Sequence, residues 1–270
     1  MSLTKASRTV PLDEQERSPI CEFHRLIPGA PTPQRADRSA GGTLPFAAVQ
    51  YCEPVTSASA FGWYVFPATT FWLWWLEGGE IAYSIDADDI PVGEKRWSSL
   101  GQAACYPNYR DIFAAMAPPD MAELAPPMLG QGLLPGTVQV WSGYVACTAP
   151  GWSLLSRRVA NVQESRPFDN LEGIMETDTW IGPLFTNIQL KRINSPIEFH
   201  VTRPLFQVQP LWRPSYRKPS FAVREATAWS EDEWRELEPF LRRNSNDRRD
   251  KGHYAAETRR RLRREEDAPS

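Results

Sequence analysis

Residues 148–163 read TAPGWSLLSRRVANVQ, residues 171–193 read LEGIMETDTWIGPLFTNIQLKRI, and residues 195–212 read SPIEFHVTRPLFQVQPLW. Pro150-Gly151, Glu172-Gly173 and Ser195-Pro196 punctuate three short apolar runs rich in β-branched and aromatic residues. This is the pattern of consecutive strands joined by tight turns. Between the first two runs sits the densest group of ionisable side chains in an apolar context: Arg157, Arg158, Glu172, Glu176 and Asp178. A chemical site is expected there.

Composition supports the same fold class. A chain of 270 residues can bury a sizeable core. Its 25 prolines, spread along the chain, argue against a helical bundle and for short strands with long connections. A net charge of −3 gives no general attraction to nucleic acid or membrane. Cys21, Cys52, Cys105 and Cys147 show no C-x-x-C spacing, and the first twenty residues are polar and charged. Reduced thiols in a cytoplasmic protein are the expectation.

On the N-terminal side, residues 1–19 read as a flexible leader. Residues 21–27 read as the first strand and residues 45–51 as a second. Residues 61–76 are strongly apolar, but the run is too short for a membrane span and Pro67 breaks it. Two strands about Pro67-Ala68, then a hairpin at Gly78-Gly79, fit better. Trp72, Trp74 and Trp75 cannot share one face of a strand, so at least one must meet a second layer, a subunit or a ligand. Asp86, Asp88 and Asp89 lack the glycine and distal glutamate of a calcium loop and read as a solvated turn. A short helix is expected over residues 111–116, and the strand pattern resumes over 133–147.

Beyond Trp212 a Pro-rich connection leads to a capping box, Ser230 with Glu233, which opens a helix expected near 230–243. Residues 244–270 are charged and locally basic. Without interleaved aromatics and with acids mixed in, they read as a solvated, disordered tail, and nucleic acid is not an expected partner.

The stretch 148–211 resembles the core of the trimeric dUTPase and dCTP deaminase superfamily, the β-clip fold. Pro150-Gly151-Trp152 leading to Ser156-Arg157-Arg158 resembles the family's Pro-Gly turn and Arg-Ser-Ser strand end. The run from Gly173 through Glu176 and Asp178 to Gly182 resembles its Gly-Val-Ile-Asp-x-Asp-Tyr-x-Gly element, and residues 202–208 resemble its closing turn and strand. Gly62-Trp63-Tyr64-Val65 is similar to its Gly-Tyr-Asp-Leu element. The resemblance implies a mainly β, antiparallel β-clip-like barrel or sandwich over residues 20–212 with a short C-terminal helix. It also implies a nucleotide-like ligand and sites between the subunits of a homo-oligomer, a trimer first and a dimer second. The phrases HRLIP, PGW, LEG and ETD also resemble an uncharacterised bacterial family, which implies no activity.

Several family residues are replaced. Tyr64 stands where the first motif carries its acid, Arg158 and Val159 replace two phosphate-binding serines, and no Gly-rich tail follows Trp212. Glu176 and Asp178 are the candidate catalytic acids. Spaced i, i+2 on a strand, they would share a face and suit a general base or a Mg²⁺ pair. The plainer reading is an ion pair with Arg157 or Arg158. Arg157, Arg158, Trp63, Trp152, Trp180 and His24 are the candidate ligand-binding residues. No histidine or cysteine spacing points to a dedicated metal site. Two functions follow: a β protein that binds a small organic or nucleotide-like ligand, or serves as an accessory subunit, without turnover; or a divergent carboxylate- or Mg²⁺-dependent enzyme.

Overall fold

The computed structural model describes residues 19–101, 104–218, 221–242 and 252–266. The expected leader lies, but for its last residue, outside the described residues. The strands in chain order are β1 (Cys21–Arg25), β2 (Gln34–Arg35), β3 (Trp63–Val65), β4 (Phe71–Trp75), β5 (Ile81–Ser84), β6 (Ser98–Ser99), β7 (Leu129–Gln131), β8 (Thr137–Thr148), β9 (Trp152–Arg157), β10 (Phe168–Leu171), β11 (Gly173–Met175), β12 (Pro183–Leu190), β13 (Ile197–Phe199) and β14 (Phe206–Trp212). The helices are α1 (Phe46–Tyr51), α2 (Glu53–Ser59), α3 (Tyr109–Met116), α4 (Pro214–Arg217), α5 (Glu231–Arg242) and α6 (His253–Glu266). Two compact units emerge. The first comprises Met1–Pro33, Tyr64–Arg158 and Arg166–Arg213; the second comprises Gln34–Trp63, Val159–Ser165 and Pro214–Ser270.

The first unit is mainly antiparallel β. One sheet runs β1-β8-β12-β10 with β7 also paired to β8, a second includes β11-β9-β14-β3, and a third runs β13-β4-β5-β6. Among the described residues no sheet closes into a barrel. Strand β8 is the spine of the first sheet. Its sequence, TVQVWSGYVACT, is apolar on both faces, as a strand covered on both sides must be. Near its middle the register breaks: Trp141 faces Phe185 and Val145 faces Pro183, so three residues of β8 oppose Leu184 alone. Gly143 makes this bulge possible, with φ of +82°. Its carbonyl accepts from the backbone N–H groups of Leu26 and Ile27 at 2.9 and 3.1 Å. The indole N–H of Trp141, fully buried, donates to the Tyr144 carbonyl at 2.8 Å. Helix α3 lays Tyr109 against the Trp141 ring.

The tryptophan run on β4 resolves as alternation demands. The buried Trp72 carries the Lys95 ammonium 3.5 Å from its ring centroid, and Lys95 also donates to the Ala87 carbonyl at 2.8 Å. Trp74 meets Trp97 edge-on, and the Trp75 ring lies against Gly136. The acidic turn is not wholly solvated. The Asp86 carboxylate accepts from the backbone and guanidinium of Arg96, and these hydrogen bonds hold its pKa below the usual value. All four cysteines are free thiols, and burial pushes that of Cys21 up to about 12.

Two expectations are corrected in the second unit. Residues 45–51 form no strand: Phe46–Tyr51 is helix α1, opened by Pro45, which cannot donate a ladder hydrogen bond, and continued by two alanines. The tail is not wholly without structure either, because His253–Glu266 forms α6. The anchor is Arg259. It donates to Glu53 at 2.9 Å and to the carbonyls of Val49 and Gln50, the last turn of α1, at 3.0 and 3.3 Å. Arg38 grips the same carboxylate at 2.7 Å from the other side and also donates to Thr56. Glu53 is 2% exposed. The capping box on α5 forms reciprocally, Ser230 N–H to Glu233 at 2.7 Å and Glu233 N–H to the Ser230 hydroxyl at 3.3 Å.

Gly143→Ala should lower stability by about 1–3 kcal/mol in thermal or urea melts, because an L-residue resists this φ and its Cβ would meet Ile27 and Ala30 near 3 Å. Burial alone would raise the Glu53 pKa, but hydrogen bonds from Arg38 and Arg259 outweigh it and hold the carboxyl below its usual value. A lowered folded pKa contributes stability that is full above the unfolded value, about 4.3, and fades as pH falls through the folded one. Glu53→Gln, which removes the charged acceptor of Arg38 and Arg259, should cost about 1.5–3 kcal/mol at pH 7. The gap between variant and wild type should narrow in melts taken from pH 5 down to pH 3.

Candidate functional site

Three stretches of the first unit meet around one carboxylate. The Pro150-Gly151 turn joins β8 to β9, the segment after β11 carries Glu176 and Asp178, and β14 ends at Trp212-Arg213. The β-turn at 149–152 is tied to the acidic segment by two threonines: Thr148 N–H, at the end of β8, donates to the Thr177 carbonyl at 3.3 Å, and the two hydroxyls lie 2.8 Å apart. Arg213 N–H donates to the Gly151 carbonyl at 2.9 Å, which brings the end of β14 to the same turn.

Asp178 sits at the centre. One carboxylate oxygen accepts the Gly151 N–H at 2.9 Å and the other accepts from the Arg213 guanidinium. Its side chain is 6% exposed. Glu176 lies 3.8 Å from the same guanidinium. The two acids thus bracket one arginine, whose positive charge offsets their mutual repulsion. They do not sit on a strand, because β11 stops at Met175. Glu176 instead opens a turn in which its carbonyl accepts from the N–H groups of Thr179 and Trp180. The turn swings Asp178 inward and leaves Trp180 half exposed over Gly182.

Aromatic rings border the group. Trp152 and Trp212 are directly paired across β9 and β14, with ring centroids 5.4 Å apart. Gly151 passes beneath the Trp212 ring, where any side chain would collide with it. Trp212 remains 46% and Trp180 49% exposed.

The expected site residues are thus placed unevenly. Glu176, Asp178 and Trp152 come together, and Trp180 belongs to the same turn. Arg157 does not supply the counter-charge: it lies at the far end of β9 and pairs with Glu172 at 3.3 Å. Arg158 follows it, half-buried. His24 stands on β1 opposite Val145, 3.6 Å from Glu22. Trp63 belongs to the second unit, where the Arg35 guanidinium covers its ring at 5.5 Å. His200 follows β13 and joins Asp88 at 3.2 Å and the Thr202 hydroxyl at 2.7 Å. Arg213 and Trp212 were not legible as site residues. Thirty-five positions separate Arg213 from Asp178, and the only local signal was a basic residue directly after the last strand.

Mg²⁺ does not fit this arrangement. A divalent ion needs carboxylate oxygens facing open space and waters, whereas both Asp178 oxygens already accept hydrogen bonds and Glu176 faces a guanidinium. Among the described residues no group of three or more His, Cys, Asp or Glu side chains could hold a metal ion.

Asp178→Asn and Arg213→Gln should each destabilise the protein by about 1–3 kcal/mol. The double variant should cost clearly less than their sum, which a double-mutant cycle on urea midpoints measures. A strictly additive cycle would show that the pair contributes no coupling. No model of a known protein family matches this chain, and no curated protein matches it.

Proposed function

We propose that the chain is a β protein of the β-clip kind that binds a small organic or nucleotide-like ligand, or serves as the accessory subunit of another enzyme, without turnover of its own. The observation that carries this reading is the commitment of Asp178 to Arg213 and the Gly151 N–H. An acid held in this way is engaged by two donors and is not presented to a substrate proton as a general base must be. Its role is to lock three turns together. That lock in turn positions Trp152, Trp180 and Trp212, whose flat faces suit an organic ring.

Assembly belongs to the same proposal. Half-exposed tryptophans are costly on a monomer surface, and a homo-oligomer, a trimer first and a dimer second, would cover them. Light scattering at micromolar concentration should give two or three times the chain mass of 30.7 kDa, and the mass of a single chain would count against the oligomer. No described helix is long and apolar enough to cross a membrane.

Thermal melts with a panel of nucleotides, with and without Mg²⁺, test the binding role. A ligand should raise the melting temperature equally with and without Mg²⁺ and be recovered unchanged. Product formation that disappears in Glu176→Gln, with the melting temperature retained, would establish the enzyme reading instead.

A further inference from the structure

Strand β8 has an exposed apolar group beyond each of its ends. Past the C-terminal end stand Trp180, Ile181 and Trp212, brought there by the Thr148–Thr177 bonds and the Gly151 turn, with Ile181 71% exposed. Before the N-terminal end, the loop from β7 lifts two leucines into water. Leu133 is fully exposed and Leu134 is 59% exposed. This leucine loop is rigid. The buried Thr137 accepts the Leu134 N–H on its hydroxyl at 3.1 Å and returns that hydroxyl to the Leu134 carbonyl. Thr137 N–H donates to the same carbonyl at 3.0 Å, and Gly132 N–H donates to the Thr137 carbonyl at 2.9 Å. Strand β12 braces the loop, with Leu190 N–H donating to the Gly136 carbonyl at 2.9 Å and the Gln189 side chain to the Pro135 carbonyl at 3.1 Å. Leucines held in this way meet a partner without first being ordered.

The two groups cannot meet within one chain. Both belong to the first unit, and the twelve residues of β8 hold them about 35 Å apart. Charge differs between the ends as well. Lys191 and Arg192 emerge beside the leucine loop, directly after Leu190. Lys191 pairs with Asp169 at 2.7 Å, whereas Arg192 is exposed and has no charged partner among the described residues. Glu77 and Glu80 lie one step further away, on the hairpin that Glu77 N–H ties to the Asn194 side chain. The tryptophan end is acidic: Glu22, Glu176 and Asp178 stand against Arg213 and the imidazole of His24.

We propose that the leucine loop of one copy docks on the surface formed by Trp180, Ile181 and Trp212 of a second copy, with Arg192 meeting its acidic rim. The two leucines bring apolar area to flat indole faces that water would otherwise cover, and the unpaired guanidinium finds the carboxylates its own end lacks. The contact joins unlike surfaces, so it runs head to tail and repeats round a ring or along a filament, unlike an isologous pair in which the tryptophans would cover one another. It rests on the homo-oligomer reading and names the surface that covers the tryptophans.

Sedimentation velocity on full-length chains tests the contact by complementation. Leu133→Ser/Leu134→Ser removes the loop's leucines, and Trp180→Ser/Ile181→Ser removes their seat. Each variant alone should run as a single chain at micromolar concentrations where the wild type assembles, with an unchanged melting temperature. An equimolar mixture of the two should form a complex of two chains and nothing larger, because one intact loop and one intact seat remain. If Trp180→Ser disturbs its turn, Ile181→Glu alone should behave in the same way. Arg192→Glu should weaken wild-type assembly severalfold, and the difference should shrink as salt rises. A wild type that runs as a single chain would overturn this contact together with the oligomer reading. If the wild type assembles, then either double variant still assembling alone, or a mixture without the two-chain complex, would overturn the contact and leave the oligomer standing.

Discussion

A β-strand paired along both edges has no freedom of register, and β8 is that strand here. It holds β1 on one side and β12 on the other, with β7 joining at its N-terminal part. A shift by one residue would move every side chain to the opposite face. The bulge at Gly143 fixes the register further, because the extra residues must coincide with Leu184 and with the two N–H groups of Leu26 and Ile27. The turn at Pro150-Gly151 inherits its position from the end of this strand. So does the Asp178 group, through Thr148.

Both units use the same electrostatic device at different strengths. Asp178 is shared between a backbone N–H and one arginine, and Glu53 between two arginines. In each case the carboxylate is nearly buried while its arginine partners reach partly into water. The acid bears the desolvation, and the long arginine stem spans two chain segments. Such a group costs stability when one partner is removed but adds little over a well-packed apolar residue. Its effect is to specify which segments meet. Around Asp178 these are turns remote in sequence, and around Glu53 they are the start of α2, the loop at Arg38 and the C-terminal helix.

The sequence by itself determined the class of the fold and several local pieces. Short apolar runs between Pro and Gly punctuation gave an antiparallel, mainly β protein. The Gly78-Gly79 hairpin, the α5 capping box and the helix before Pro118 were each written in a few adjacent residues, and local hydrogen bonds are enough to form them. Alternation alone kept Trp72, Trp74 and Trp75 from sharing one face of β4. Pairing was decided elsewhere. Strands read as consecutive neighbours, from β9 to β14, distribute themselves over three sheets, because hydrogen-bonding partners are chosen by burial across the whole unit and not by order along the chain.

The candidate site divides in the same way. Sequence brought forward Glu176 and Asp178 and expected an arginine beside them. Only the tertiary structure selected Arg213 over Arg157, because β9 runs antiparallel to β14, which sets Trp152 beside Trp212 and carries Arg157 to the opposite end. The helical state of residues 46–51 and 253–266 was equally out of local reach. Each is stabilised by Arg259, whose carboxylate partner lies 206 positions away. A charge whose partner is that distant leaves no periodicity in the chain, and its pairing exists only once the chain has folded.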